Sequence, residues 1–165
     1  MNTDRIERAK ELLQTVQHAA MATVNDDGTP HNTPYFFVAS DDLTELYWGS
    51  HPDSLHSQNI ARDGNIFVVL YEANAGGGLY IKCQNARQAS SADTEKVLTA
   101  FNKRRAQIGK DPLPANYYES SSPQRLYVAD TVTCWVNYAE RDENGLIIQD
   151  KRLEVPLKEL IKTLA

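Results

Sequence analysis

Cysteine is scarce. Cys83 and Cys134 are the only two in 165 residues, and no CxxC pairs them. That excludes a disulfide framework or a zinc ribbon, and two thiols in separate strand-like runs read as reduced core residues of a cytosolic protein. The four histidines, at 18, 31, 51 and 56, show neither HxxxH nor HExxH spacing, so no metal site is expected. Excess positive charge is absent as well. A net charge of −5 offers no global field to nucleic acid or to an anionic membrane, so an anionic ligand would need a local site. No apolar run approaches the ~20 residues of a membrane span. The opening Met-Asn-Thr-Asp-Arg lacks the apolar core of a signal peptide. There are no repeats and no internal linker. What remains is 41% hydrophobic and 24% charged, the balance of one soluble globular domain over residues 1–165 with a sizeable core.

Periodicity orders the chain. Residues 3–17 carry a helical stripe of Ile6, Ala9, Leu12, Leu13 and Val16, capped by Thr3 or by Asp4 with Glu7. Strands are expected at 19–25, 33–40, 44–48, 65–72, 79–90, 126–138 and 146–155. Asp27-Gly28 and Asn144-Gly145 mark hairpins, and Ala75 to Gly78 marks a turn. Pro34 removes a ladder donor, so its strand must be at an edge or irregular there. Ile66 to Tyr71 is apolar at successive positions, which calls for cover on both faces. In the 79–90 strand, alternation puts Tyr80, Lys82, Gln84 and Ala86 on one face and Leu79, Ile81, Cys83, Asn85 and Arg87 on the other. Ser90 or Ser91 caps a helix to about Ile108, ended by Gly109, and Pro156 opens a last helix. The loop at 110–124, with three prolines and three serines, has the length of a functional or mobile segment. Hairpins in succession, with helices at the ends and one crossover, predict a mainly β fold with flanking helices, an antiparallel barrel.

The densest chemistry lies between Tyr47 and Asn59. A strand ends at Trp48-Gly49-Ser50, and a short helix follows Pro52-Asp53-Ser54 to about Arg62. Hydroxyls at 50, 54 and 57 and imidazoles at 51 and 56 crowd this turn. A helix N-terminus lined with hydroxyls can hold a phosphate; it is equally an ordinary N-cap made by Asp53 or Ser54. Tyr35-Phe36-Phe37 reads either as barrel core or as the wall of a planar ligand, and Trp135 and Tyr138 as dimer interface or cofactor edge. His31 reads as exposed on its strand and His51 as a surface turn residue.

Ala22-Thr23-Val24, the turn at Gly28, Pro30 and the aromatic strand, then Tyr47-Trp48-Gly49-Ser50 and Ser54-x-His56, resemble the pyridoxamine 5′-phosphate oxidase-like family of FMN-binding split β-barrels, on its general-stress-protein-like branch. Val68-Val69-Leu70 and Tyr80-Ile81-Lys82-Cys83 continue the likeness in order. The resemblance implies a homodimer with FMN at the subunit interface. It implies Thr33, Pro34, Tyr35 and Phe36 along the isoalloxazine, and Trp48, Gly49, Ser50, Ser54 and His56 about the phosphate. Beyond the resemblance, Lys82 and Arg87 are bases that compensate for missing ones if the fold brings them near, and Lys82 and Trp135 are counted as further cofactor contacts. True members of the oxidase branch carry an arginine and a lysine on the second strand and an Arg-Lys pair in the short helix. Here those places hold Thr33, Val38, Leu55 and His56, which argues against the vitamin B6 oxidase reaction itself. The reading is therefore a cytosolic FMN-dependent oxidoreductase acting on a small molecule, with no catalytic residue assigned. The alternative is a non-catalytic binder of haem, deazaflavin or flavin on the same dimeric barrel, or a structural dimer whose site has decayed.

Overall fold

The described residues form seven antiparallel strands, with alternating burial clearest in the first and fourth: β1 (His18–Val24), β2 (Pro30–Ala39), β3 (Glu45–Ser50), β4 (Ile66–Tyr71), β5 (Gly78–Gln88), β6 (Arg125–Arg141) and β7 (Ile147–Val155). Four α-helices accompany them among the described residues: α1 (Asn2–Thr15), α2 (Leu55–Arg62), α3 (Ser91–Gln107) and α4 (Leu157–Leu164). The computed structural model describes residues 2–72, 77–118 and 122–164. The turn expected at 75–78 falls partly outside them, as do Ser120 and Ser121 of the 110–124 loop.

The sheet runs β3-β2-β1-β4-β5-β6-β7, and β3 pairs again with β6. Six strands thus close a barrel, and β7 is left outside the closure. The reason is the length of β6. Its first residues, Arg125 to Asp130, pair with β3, while Cys134 to Arg141 overshoot β3 and pair with β7. The inward side chains of Met21, Phe37, Leu46, Trp48, Val68 and Ile81 form the interior. Pro34 sits opposite Ala20 of β1, but β3 pairs only with Phe37 to Ala39, so one edge of β2 carries no ladder beside the proline. The irregularity that Pro34 demanded is there.

The face assignment along β5 holds only as far as Gln84. A register shift lies between Gln84 and Arg87, and Asn85 takes a left-handed backbone (φ 53). The extra residue shifts the alternation by one, so Ala86 is buried while Asn85 and Arg87 are exposed. This corrects the alternation read from sequence, which has no means of showing a bulge at Asn85. The bulge accommodates the chain after α2: the Ala86 N–H donates to the Gly64 carbonyl at 2.9 Å, and a Cβ on Gly64 would lie 2.9 Å from the Ala86 backbone.

α1 buries Ile6, Ala9 and Leu12 against the barrel, with Val16 buried just past its end, as the stripe predicts. It already begins at Asn2, which places Asp4 in its first turn and not at its cap. Arg104 of α3 donates to the carbonyls of Gln14 and Val16 at 2.8 and 3.0 Å, satisfying acceptors at the end of α1. α3 covers the outer face of β2, β3 and β6 through a second apolar cluster that includes Val38, Tyr47, Val97, Phe101, Tyr118 and Val128. Ser90, not Ser91, is its cap: the Ser90 N–H and hydroxyl both donate to the Asp93 carboxylate, at 3.0 and 2.7 Å. The outer face of β4 and β5 differs. Phe67 is only half-buried, stacked on Trp135 at 6.2 Å, and the Arg152 guanidinium lies 3.9 Å from the centre of the Tyr80 ring. No helix among the described residues is long and apolar enough to cross a membrane.

Candidate cofactor-binding site

β3 ends on Ser50 because the chain turns through His51-Pro52-Asp53 into α2, and that turn stacks the hydroxyls. The Ser50 hydroxyl lies 2.6 Å from Nε2 of His56 and 3.1 Å from the Ser54 hydroxyl, which is itself 3.1 Å from the same imidazole nitrogen. Ser54 donates to Ser57 at 2.9 Å, and Ser57 donates back to Ser50 at 3.3 Å. Ser50 and Ser57 are buried. Ser54 is the N-cap of α2 in an extended conformation, yet its side chain makes no capping bond. The first-turn amides of α2 therefore keep the donor character and partial positive charge of an open helix end.

Asn59 fixes α2 to the barrel. Its Nδ2 donates to Thr23 Oγ1 and to Asn25 Oδ1, both at 3.0 Å, and it receives Arg62 Nη2 at 3.1 Å. Thr23 stands directly opposite His31 in the β1–β2 ladder, so the two side chains share a face. Asn59 is three residues from His56 and on the same side of α2. His31 is consequently half-buried and acts electrostatically on His56. The sequence reading of His31 as exposed is corrected; Asn59 and Thr23 were not singled out. The Asn59–His56 spacing was the one available signal. Burial pulls the His56 imidazole below its ordinary value, and His31 adds to the effect.

The remaining residues fall into three groups. Trp48 stacks on Tyr127 at 5.6 Å inside the barrel, and Tyr35 meets Trp48 edge-on at 5.7 Å, so only their backbones can face a ligand. Phe36 points the other way, onto Phe101 of α3 at 6.0 Å. Gly49 lies under Tyr118, whose ring would come within 2.8 Å of a Cβ there. Thr33 is half-buried and Pro34 exposed on the stretch of β2 that β3 leaves uncovered. Lys82 is exposed on β5 opposite Phe67, and Trp135 packs on Phe67 across the outer face; among the described residues neither hydrogen-bonds to the hydroxyl cluster. His51 is exposed, as expected. Among the described residues no group of three His, Cys, Asp or Glu side chains gathers to hold a metal.

A closed six-stranded barrel with a hydroxyl-lined turn leading into a short helix defines the split-barrel class. The chain belongs to the pyridoxamine 5′-phosphate oxidase family, whose model matches residues 6–148. No curated protein matches the sequence. The fold is shared with the Agrobacterium tumefaciens protein Atu2129, of unknown function (TM-score 0.65, 19% identity, covering 90% of this chain and 62% of that one). It is shared with a heme binding protein from Mycobacterium smegmatis (TM-score 0.65, 13% identity, covering 95% of this chain and 60% of that one). A Clostridium acetobutylicum protein related to general stress protein 26, of the pyridoxinephosphate oxidase family, matches nearly end to end (TM-score 0.61, 14% identity, 94% and 96%). At these identities the likeness is one of fold. The chain spans less than two thirds of the Agrobacterium and Mycobacterium proteins.

Proposed function

We propose that the protein binds FMN, with the phosphate at the Ser50–Ser57 turn, and serves as a flavin-dependent oxidoreductase for a small substrate. The observation that carries this is the convergence of three hydroxyls and the His56 imidazole, linked by contacts of 2.6–3.3 Å, at an uncapped helix N-terminus. Each of these groups can donate to a phosphate oxygen. Ser50, Ser54, Ser57 and His56 would hold the phosphate, and the uncovered backbone at Thr33 and Pro34 would lie along the ring. The flavin would supply the redox chemistry, and the protein position and polarity. The half-covered outer face with Phe67, Tyr80, Lys82 and Trp135 supports a twofold dimer, which would bring Lys82 and Trp135 to the cofactor from across the interface.

Quenching of flavin fluorescence on titrating FMN with the purified protein tests the reading. Saturable binding that weakens at least tenfold in Ser50→Ala/Ser54→Ala is expected; no binding by the wild type refutes it. A haem titration run beside it addresses the ligand named for the Mycobacterium smegmatis protein of this fold, and a haem complex in place of a flavin complex moves the protein to the non-catalytic reading. A monomer in sedimentation at micromolar concentration counts against the shared site.

A further inference from the structure

We propose that the cavity between the end of α1, the end of β2 and the C-terminal half of α3 is a second small-molecule site, built for a small organic monocarboxylate with Arg104 as its counter-ion. None of Ser50, Ser54, Ser57 and His56 lines it, so it stands apart from the proposed flavin site. Its volume is about 170 Å³. An apolar void of ~150 Å³ is enough to hold a benzene ring. The space follows from the local sequence. β2 ends in Ala39, and the chain turns through Ser40-Asp41-Asp42. The Asp42 carboxylate accepts from the Ser40 hydroxyl at 2.7 Å and from the Thr44 N–H and hydroxyl at 3.2 and 2.7 Å, and the Leu43 N–H donates to the Ser40 carbonyl at 2.9 Å. Between these bonds Leu43 takes a left-handed backbone (φ 52) with its side chain buried. Leu43, Phe37 and Val38 give the cavity its buried apolar lining. From α3 come Ala100, Lys103, Arg104 and Gln107, the spacing of one helix face, and the Ala100 methyl is too short to fill the gap. Leu13 and Gln14 of α1 close the end.

Charge selects the ligand. Asp41, Lys103 and Arg104 are the charged groups that line the cavity. Lys103 and Asp41 neutralise each other at 2.6 Å, with both side chains mostly exposed. Arg104 is half-buried, and among the described residues no carboxylate pairs with it. Its bonds go to neutral acceptors: the carbonyls of Gln14 and Val16 at 2.8 and 3.0 Å, and the Gln107 amide oxygen at 3.3 Å. A guanidinium has five N–H donors, so these three bonds leave donors to spare. One net positive charge therefore stands beside an apolar lining, where partial loss of water disfavours it; burial draws Arg104 below its ordinary value. A carboxylate matches that single charge and the fork of the guanidinium. An apolar body attached to it would displace water from Phe37, Leu43 and Ala100. A dianion would overshoot the one available charge, and a cation would meet Arg104 and a pair already satisfied.

The test is calorimetric titration of the full chain with benzoate, with benzamide, which keeps the ring and lacks the charge, and with acetate, which keeps the charge and lacks the ring. The expected result is one-to-one binding of benzoate at millimolar concentration or below, at least tenfold tighter than that of benzamide or acetate, since a charge-assisted hydrogen bond and a buried ring are each worth about a factor of ten or more. Arg104→Gln should weaken benzoate at least tenfold and leave benzamide unchanged. Ala100→Leu fills the space from a helical position, so it should keep or raise Tm while abolishing benzoate binding; it decides the matter even where Arg104→Gln does not fold. No benzoate binding by the wild type, benzamide or acetate binding as tightly as benzoate, or undiminished benzoate binding in Ala100→Leu overturns the proposal. FMN affinity, measured separately, has no part in any of these outcomes.

Discussion

Gly49→Ala separates a packing role from a ligand role at a position that both explanations claim. An added Cβ would lie 2.8 Å from Cε1 and from the hydroxyl of Tyr118 and 3.1 Å from Cζ, closer than carbon tolerates. The ring cannot simply swing aside. Tyr118 is buried, meets Phe101 edge-on at 5.9 Å and Tyr117 at 5.0 Å, and its carbonyl accepts from Arg125. Overpacking of this kind costs about 1–3 kcal/mol. Alanine recovers about 0.5–1 kcal/mol of the backbone entropy that glycine forfeits in a strand. The net expectation is a loss of about 0.5–2 kcal/mol. At ~2–4 °C per kcal/mol for a domain of this size, that is a Tm lower by roughly 1–8 °C. Tyr118→Val should be destabilising alone but should absorb the new methyl, so Gly49→Ala/Tyr118→Val should be more stable than the two single effects predict by about 0.5–3 kcal/mol. Urea melts of the four proteins measure this coupling. A Gly49→Ala protein as stable as wild type, or strict additivity in the double variant, refutes the assignment of Gly49 to the Tyr118 contact.

Two further substitutions probe buried polar groups. Tyr35→Phe removes a hydroxyl that is buried with no hydrogen-bond partner among the described residues, so it should leave stability unchanged or raise it by up to about 1 kcal/mol in denaturant melts; a loss of more than that would show that the hydroxyl is bonded. Asp93→Asn should cost about 1–3 kcal/mol at pH 7, because Arg87, the Ser90 hydroxyl and N–H, and Lys96 all bond to the charged carboxylate. The Arg87 bond, followed by the Ser90 bonds, holds Asp93 well below the usual carboxylate range, so wild type carries this advantage fully above about pH 4 and loses it as pH falls through the lowered value. Equal stability of the two proteins in urea melts at pH 7 would dismiss the network.

The fold was legible because its determinants are local. Ile6 to Val16 repeat with a helical period, Asp27-Gly28 and Asn144-Gly145 announce their turns, and Ser90 precedes a good helix; all reappear within a residue or two. The site was legible in part. Ser50, Ser54 and His56 converge because only six residues separate the first from the last, so the turn itself decides their geometry. Contacts across long stretches of sequence left no such trace. Nothing around His31 announces that α2 packs against it, since the link passes through Asn59 and Thr23, 36 positions apart. Gly49 owes its identity to Tyr118, in a loop that carries no periodicity at all. Alternation along β5 misled after Gln84 for a related reason: a bulge answers to the neighbouring chain at Gly64, not to its own strand.

The seam between β3 and β6 has a consequence in time. Glu45 to Ser50 find their partners in Arg125 to Asp130, roughly 75 residues later in synthesis. At ~5–20 residues per second, β3 emerges some 4–15 s before the strand that closes against it. During that interval Leu46, Tyr47 and Trp48, all buried at the end, sit on a strand whose second edge has no ladder. Barrel closure is a long-range event whose loop entropy is met before any contact rewards it, which slows it relative to the local hairpins. The nascent chain is thus most vulnerable to edge-to-edge association between the synthesis of α2 and that of β6.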